Sequence, residues 1–231
     1  MEAEDFLNGQ VILIDKPLKW TSFQVVKKIR GALKKRFKIR KIKVGHAGTL
    51  DPLATGLLII CTGKFTKKIN QYQAEAKEYT GTFTLGATTP SYDLETGIDQ
   101  HFPTEHITDE LIISTAKEFL GETEQFPPMF SAIQKDGVRL YDLARKGESV
   151  EIKSRKTHIY EFEISRIELP EIDFRVVCSK GTYIRSLAYD FGNNMNSGAY
   201  LSTLRRTKSG DFNVKEGISP NDFVESIFNE E

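Results

Sequence analysis

A short stretch rich in glycine carries the residues best suited to chemistry. Residues 45–56 read GHAGTLDPLATG, which places three glycines, a histidine and an aspartate within twelve positions. Glycine lets the backbone approach a ligand closely, and an aspartate such as Asp51 is ionised at neutral pH and can act as a nucleophile. The alternative for Asp51 and Pro52 is a turn, or a helix N-cap followed by proline, and spacing alone favours it.

Other patterns in the sequence exclude two kinds of site. Six residues separate Gly56 from Gly63, which precedes Lys64, whereas a phosphate-binding loop has about four at this point. His101 and His106 have no cysteine or paired histidine at ligand spacing, so we expect surface imidazoles and no metal. Gly45 and Gly48 have the spacing of the GxxG motif with which KH domains clamp a nucleic-acid backbone. Such a short motif has low specificity.

Composition is typical of a folded globular protein. Of 231 residues, 39% are hydrophobic and 28% are charged. No apolar run reaches about 18 residues, and the acidic residues 1–5 lack the basic region and apolar stretch typical of a signal peptide. We therefore expect a cytoplasmic protein with no membrane contact. Cys61 and Cys178 each stand in an apolar segment, which predicts buried, unreactive thiols.

Charge is unevenly distributed along the chain. The net charge is zero, but residues 16–43 hold twelve Lys or Arg and no acid, and residues 91–125 hold nine acids and one base. The basic block has a helical pattern with an N-cap at Thr21 or Ser22 and one apolar face, formed by Phe23, Val26, Ile29, Leu33 and Phe37. Its basic face is suited to a polyanion, with plain solvation as the alternative.

Hydrophobic periodicity predicts a mixed α+β fold in a single domain. Strands are expected at residues 11–14, 57–61, 78–85, 172–178 and 200–208, and in a segment where Tyr160, Phe162 and Ile164 face inward. Further helices are expected at 66–74, 107–120, 140–146 and 182–191, whereas residues 86–106 show no periodicity. The predicted organisation is an N-terminal tail, 1–8, a domain, 9–210, and a short C-terminal tail, 211–231.

Six spaced motifs resemble the TruB family of tRNA pseudouridine synthases. They are LIDKP at 13–17, residues 45–56, the AKEY run ending at Tyr79, PPMFSA at 127–132, CSKGTYIR at 178–185 and YLSTLRRT at 200–207. They follow the family order. The resemblance implies a pseudouridine synthase fold with a largely antiparallel or mixed central sheet. It also implies isomerisation of uridine-55 in the T loop of tRNA, without cofactor or metal, after the base is extruded.

The resemblance also assigns the catalytic residues. Asp51 becomes the nucleophile, and whether it attacks the sugar or the base stays open. Arg185 matches the arginine that pairs with this carboxylate, where the alternative is a surface helix charge. Tyr79 matches the aromatic residue that contacts the flipped base and handles the C5 proton, where the alternative is an ordinary half-buried strand tyrosine.

Substrate contacts are assigned in the same way. His46 matches the histidine that helps the loop rearrange around the extruded nucleotide, Tyr183 a second aromatic contact to the base, and Leu204 a wall of the uracil pocket. Asp93 and Lys16 occupy family positions that we also expect to bind substrate. Phosphate contacts are expected from the basic helix and from two further groups of cations, Lys153, Arg155 and Lys156, and Arg205, Arg206 and Lys208.

Three features depart from the family. Gln134 stands where many relatives have lysine, and Thr89-Pro90-Ser91 replaces a Thr-Asp-Thr turn. Many bacterial members continue into a PUA domain, which we do not expect here, so RNA contacts must come from the catalytic domain. Within that domain, residues 127–152 resemble an insertion that clasps RNA.

We expect a monomer that binds the T arm of tRNA and no protein partner. Two other functions remain open from the sequence. One is a non-catalytic RNA-binding or chaperone module that uses the same basic surface. The other is an N-glycosidase that uses the same carboxylate.

Overall fold

The computed structural model describes residues 2–131, 134–135, 137–145, 147, 150 and 152–229. Its helices are α1 (Ala3–Asn8), α2 (Ser22–Arg36), α3 (Ile69–Ala74), α4 (Asp109–Glu118), α5 (Leu140–Arg145), α6 (Ile184–Asn194) and α7 (Pro220–Asn229). Short 3-10 helices cover Gly63–Lys68 and Val214–Glu216. None of the helices in these ranges is long and apolar enough to cross a membrane.

The strands lie between these helices along the chain, in several places two or three in succession. They are β1 (Val11–Lys16), β2 (Val44–His46), β3 (Ala54–Thr62), β4 (Lys77–Leu85), β5 (Ala87–Thr88), β6 (Gln100–His101), β7 (Gly121–Gln125), β8 (Gln134–Lys135), β9 (Val138–Arg139), β10 (Arg155–Glu168), β11 (Glu171–Cys178), β12 (Ala199–Ser209) and β13 (Phe212–Asn213). Parallel and antiparallel pairings both occur, so the predicted α+β class with a mixed sheet is confirmed.

The chain divides into two compact units. Unit 1 comprises Met1–Tyr79 and Leu204–Glu231, and unit 2 comprises Thr80–Thr203. Strands β4 and β12 each contribute residues to both units. The single catalytic domain expected at 9–210 includes parts of both units, and its boundaries stay a prediction.

Strand β3 organises unit 1. It pairs antiparallel with β1 and β2, and parallel with β12. Its sequence is a continuous apolar run because both faces are covered: Leu58 and Ile60 join one hydrophobic cluster, while Leu57, Ile59 and Cys61 join another. The register sets Lys16 opposite Gly56 and Leu204 opposite Ala54. Two predicted site residues therefore flank the start of β3, which follows Asp51 by three residues.

Helix α2 begins as predicted, but its apolar face is different. Thr21 is the N-cap and accepts a hydrogen bond from the backbone N–H of Gln24. The buried side chains are Ser22, Val25, Val26, Ile29, Ala32 and Leu33. Phe23, which we placed on the apolar face, is 63% exposed. At 3.6 residues per turn Phe23 points about 120° from the centre of this face, so the prediction for it was wrong.

Both predicted tails contain folded structure. Phe6 of α1 is buried, as are Phe223 and Ile227 of α7, and all three belong to the cluster that includes Ile29 and Leu33 of α2. The ring of Phe6 meets that of Phe223 edge-on at 6.5 Å between centroids. These segments are therefore part of the core of unit 1.

Unit 2 is built on β10, which pairs antiparallel with β11 and β7. Its core is aromatic: Phe83 stacks on Phe174 with 4.1 Å between ring centroids, and the rings of Phe162, Phe191 and Phe119 pack around this pair. The β10–β11 pairing is irregular between residues 159 and 161, and beyond this point the other set of β10 side chains faces the core. Tyr160 is consequently 52% exposed, and its predicted inward orientation was wrong. Residues 86–106, expected as a loop, include the short antiparallel pair β5–β6.

Because α7 packs in the core of unit 1, loss of a buried side chain from it should destabilise the protein. The same change in an unstructured tail would not. We expect Phe223→Ala to lower the free energy of unfolding by about 3 kcal/mol, because a buried ring is replaced by a cavity. Urea unfolding followed by circular dichroism measures the loss. Glu225→Ala, at an exposed position of the same helix, is the control. Equal unfolding midpoints for the two variants would contradict the assignment of α7 to the core.

Candidate active site

The loop that carries Asp51 connects β2 to β3 and is held by buried hydrogen bonds. The Ser22 hydroxyl donates to the carbonyl of Leu50 at 3.0 Å and accepts from the Leu50 N–H at 2.9 Å. The backbone N–H of Lys19 donates to the carbonyl of Pro52 at 2.8 Å, and that of Ala54 donates to the carbonyl of Asp51 at 3.1 Å. Asp51 therefore projects from a loop whose backbone is fixed on both sides of it.

Lys16 supports this loop from inside the protein. The residue is fully buried, with 0% exposure. Its ammonium donates to the carbonyl of Trp20 at 2.6 Å and of Pro17 at 3.0 Å, and approaches that of Pro52 at 3.5 Å. Burial lowers the pKa of Lys16 from 10.5 to about 8, and the negative charge of Asp51 opposes this change. We predicted that Lys16 binds substrate, but these contacts favour a role in positioning Asp51.

Arg206 is a second buried cation in unit 1. Only 1% of it is exposed, and its guanidinium donates to the carbonyl of Leu57 at 2.7 Å and of Gly48 at 3.1 Å. Gly56 pairs with Arg206 and has φ +101°, and a Cβ there would lie 2.3 Å from the Arg206 carbonyl oxygen. Glycine is thus required at this position. The predicted phosphate contact by Arg206 was wrong, because its side chain is enclosed.

His46 ends β2 and is half-buried. Burial lowers the pKa of its imidazole, and the positive charge of Arg206 adds to the effect. The ring is therefore neutral at neutral pH. Its Nδ1 atom is buried and has no hydrogen-bond partner within the described ranges. A contact with the Gly48 backbone acts on this pKa in the opposite direction, and the predicted rearrangement of the loop stays a prediction.

Tyr79 lies in β4 and is largely buried. The preceding residues anchor the strand in unit 1. The ammonium of Lys77 donates to backbone carbonyls at the C-terminal end of α3, which stabilises the end of that helix. The carboxylate of Glu78 accepts from the Thr207 hydroxyl at 2.7 Å and pairs with Lys208 at 3.3 Å. These contacts fix the backbone that carries the Tyr79 ring.

Arg185 lies in the first turn of α6 in unit 2 and is 4% exposed. Its Nη1 donates to the carbonyl of Ser91 at 3.3 Å, and its Nε is 3.7 Å from a carboxylate oxygen of Asp93. The other carboxylate oxygen of Asp93 accepts from the N–H of Glu95 at 2.9 Å. We predicted that Asp93 binds substrate. Its burial and these bonds instead favour a role in orienting Arg185 and its own turn.

Gln125 is a supporting residue that the sequence did not reveal. It is buried, and its amide oxygen accepts from the backbone N–H of Tyr183 at 2.7 Å while its amide nitrogen donates to the Tyr183 carbonyl at 2.9 Å. The Ser186 hydroxyl donates to the carbonyl of Phe126 at 2.7 Å. Residues 125–126 therefore hold the start of α6. The guanidinium of Arg155 lies over the Tyr183 ring, 4.9 Å from its centroid.

The described residues place the predicted site in two groups. Unit 1 contains Lys16, His46, Asp51, Tyr79 and Leu204, and the Leu204 carbonyl accepts from the Thr55 hydroxyl at 3.4 Å. Unit 2 contains Asp93, Tyr183 and Arg185. The pairing of Arg185 with Asp51 joins residues of different units and stays a prediction.

Part of the predicted RNA-clasping insertion, 127–152, lies outside the described residues. The side chain of Gln134 also lies outside them. Of the other cations expected to bind phosphate, Arg205 forms a bidentate pair with Asp15 at 2.7 and 3.0 Å, and Lys156 pairs with Glu122 at 2.8 Å.

A small cavity of about 140 Å³ lies between α6, α4 and β7 in unit 2. It is lined in part by Gln125, Leu187 and Asp190. Burial raises the pKa of Asp190 from 3.8 to about 6. This carboxyl group therefore retains its proton more readily in the folded protein than in the unfolded chain.

Comparisons with known proteins agree with this arrangement. Residues 34–184 match the model of the TruB family pseudouridylate synthase, N-terminal domain. A protein named tRNA pseudouridine synthase B from Flavobacterium johnsoniae is 69% identical over 228 residues, covering 98% of this chain and all of the relative. The protein of the same name from Phocaeicola vulgatus is 56% identical, covering 98% and 97%.

A solved structure has a similar fold. A chain in the crystal structure of a Cbf5-Nop10-Gar1 complex is 31% identical, with a TM-score of 0.72 over 97% of this chain and 56% of that one. Fold, motif residues and relatives together define an enzyme of the pseudouridine synthase class, which isomerises uridine to pseudouridine. The chain belongs to the TruB family.

The hydrogen bonds of Ser22 can be tested by mutation. Ser22→Ala leaves the buried N–H and carbonyl of Leu50 without partners, so we expect a loss of about 1–3 kcal/mol in unfolding free energy. Hydrogen exchange of the Leu50 amide should also become at least about tenfold faster. The control is Ser226→Ala, which removes a hydroxyl bonded to a carbonyl within α7. Unchanged Leu50 exchange would show that this hydroxyl does not hold the loop.

The raised pKa of Asp190 predicts the pH dependence of stability. Between pH 3.8 and about 6 the folded state binds more protons than the unfolded state, so this carboxyl lowers stability as the pH rises through that window. Because water still reaches part of the group, we expect Asp190→Asn to be about 1–2 kcal/mol more stable at neutral pH. The advantage should vanish near pH 4. Urea midpoints across this range measure it, and a pH-independent difference would contradict the interpretation.

Proposed function

We propose that this enzyme isomerises uridine-55 in the T loop of tRNA, with Asp51 as the nucleophile. The observation that carries the proposal is the support of the Asp51 loop by two buried side chains, Ser22 and Lys16. A nucleophile must be held in a narrow range of positions to react efficiently. The names of the close relatives supply the tRNA substrate.

The reaction conserves atoms and needs no external reagent. The N1–C1′ glycosidic bond breaks, the uracil turns, and a C5–C1′ bond forms in its place. C5 then loses its proton, and N1 gains one. A carboxylate can form a transient covalent bond during this exchange. Attack by Asp51 on C1′ of the sugar and attack on C6 of the base both satisfy this balance.

The other residues have distinct proposed roles. Tyr79 contacts the extruded base and handles the C5 proton, and Arg185 pairs with the Asp51 carboxylate and keeps it charged. His46 helps the loop rearrange, Tyr183 makes a second aromatic contact, and Leu204 lines the uracil pocket. We assign Lys16 and Asp93 to positioning, because both are buried and bonded within the protein.

The target base must leave its stack before any of these groups can reach it. Base extrusion costs a few kcal/mol, and contacts to the surrounding RNA offset that cost. We propose that the enzyme acts as a monomer in the cytoplasm on the T arm. That a solved relative is an H/ACA RNP bound to a substrate RNA supports binding of RNA by this fold.

Replacement of the nucleophile is the direct test. We expect Asp51→Asn to lower single-turnover pseudouridine formation at least about 10³-fold, with tRNA binding within about twofold of the wild type. The substrate is unmodified tRNA, and the product is detected by carbodiimide labelling and mass spectrometry. Asp211→Asn, at an exposed position, should be fully active. Substantial turnover by Asp51→Asn would refute the assignment.

The same assay separates the two alternative functions. An N-glycosidase would release free uracil and leave an abasic site. An RNA-binding or chaperone module would bind tRNA and leave every uridine unchanged. Pseudouridine at position 55 without free base supports the proposal over both.

A further inference from the structure

A groove in unit 1 lies outside the candidate active-site residues. It has a volume of about 510 Å³ and runs along α2 beside α7. Its lining combines aromatic, apolar and basic side chains, including Trp20, Lys27, Lys28, Lys35, Val224 and Phe228. None of the described lining residues is acidic.

The lysines of the groove are available to an anion. Lys27 and Lys35 are exposed, and within the described part of the chain neither has an ion-pair partner. Lys28 hydrogen-bonds to Asn221, a neutral partner that leaves its charge uncompensated. This differs from Arg205 and Lys208, whose charges pair with carboxylates.

Two aromatic rings accompany these charges. The ammonium of Lys28 lies 5.5 Å from the centroid of the Trp20 ring, and that of Lys35 lies 5.9 Å from the centroid of Phe228. Phe228 is 39% exposed. Positive charges that follow a phosphate backbone and aromatic rings that stack on bases are the two components of single-stranded RNA-binding surfaces.

Trp20 connects the groove to the support of the Asp51 loop, because its side chain lines the groove and its carbonyl accepts a hydrogen bond from the Lys16 ammonium at 2.6 Å. Helix α2 begins at Ser22, which bonds to Leu50 next to Asp51. Lys35 lies thirteen residues farther along the helix, a distance of about 20 Å at 1.5 Å per residue. At 3.6 residues per turn, Lys27 and Lys35 each point about 140° away from Ser22. They therefore lie on the exposed side of α2, where an RNA strand can reach them.

We infer that this groove binds an RNA strand outside the extruded nucleotide, with phosphates at Lys27 and Lys35 and a base against Trp20. The inference deepens the proposed function and rests on it for the choice of RNA over other anions. The groove contributes affinity and takes no part in the chemical step. It therefore affects the dissociation constant and leaves the single-turnover rate at saturating RNA unchanged.

Trp20 provides a direct signal, because it is the single tryptophan of the sequence. Its fluorescence is followed during titration with unmodified tRNA, using the full chain with Asp51→Asn so that no turnover occurs. We expect saturable quenching with the same midpoint as a filter-binding titration. Polyglutamate and vesicles of phosphatidylcholine with phosphatidylglycerol serve as the competing anions.

Matched charge variants locate the contact. We expect Lys27→Gln/Lys35→Gln to weaken tRNA binding about tenfold and to lower the slope of log affinity against log salt by about 1.5 to 2. The control, Lys67→Gln/Lys215→Gln, removes two exposed charges of unit 1 that lie outside α2 and do not line the groove. It should weaken binding less than about threefold, and both variants should keep the wild-type melting temperature.

The outcomes separate this inference from the proposed function. Unquenched Trp20 on tRNA binding, equal losses in the two double variants, or tighter quenching by vesicles or polyglutamate would each overturn the groove assignment. Failure to form pseudouridine in the wild type would overturn the proposed function and leave these binding measurements valid. Selective loss in the groove variant together with Trp20 quenching supports the inference.

Discussion

Buried cations that donate to backbone carbonyls are the interaction on which unit 1 depends. Lys16 and Arg206 both have essentially no exposed surface. Each donates to carbonyl groups of loop or strand residues in the interior of unit 1. A buried charge is costly unless it is fully hydrogen-bonded. The backbone near Asp51 must therefore keep the arrangement that satisfies these cations, which restricts where the carboxylate can lie.

Unit 2 uses a related arrangement with a neutral group. The Gln125 amide bonds to both the N–H and the carbonyl of Tyr183, as a neighbouring strand would. It thereby fixes the first turn of α6, where Arg185 is buried beside Asp93. In both units, the backbone that carries a proposed site residue is held in place by a buried polar side chain. Such support limits the disorder that would otherwise reduce catalytic efficiency.

Local patterns predicted those features whose causes are local. Of the two N-cap candidates for α2, Thr21 is confirmed, because its side-chain oxygen accepts from an N–H only three residues away. Cys61 and Cys178 are buried as expected, since each stands in an apolar strand. The positions of Phe23 and Tyr160 were predicted wrongly. Which side of α2 faces the core, and where the pairing of β10 becomes irregular, depend on the elements that pack against them. The periodicity of a single segment does not contain that information.

The sequence by itself determined the α+β class, most elements and, through the order of its motifs, the family. It also contained the unequal distribution of charge behind a net charge of zero. Only the tertiary structure decided which cations are available to bind RNA. Arg206 is enclosed, Arg205 is paired with Asp15, and Lys27 and Lys35 face an aromatic groove. The physical reason is that a charge acts through its solvation and its neighbours, and chain folding brings those neighbours from distant parts of the sequence.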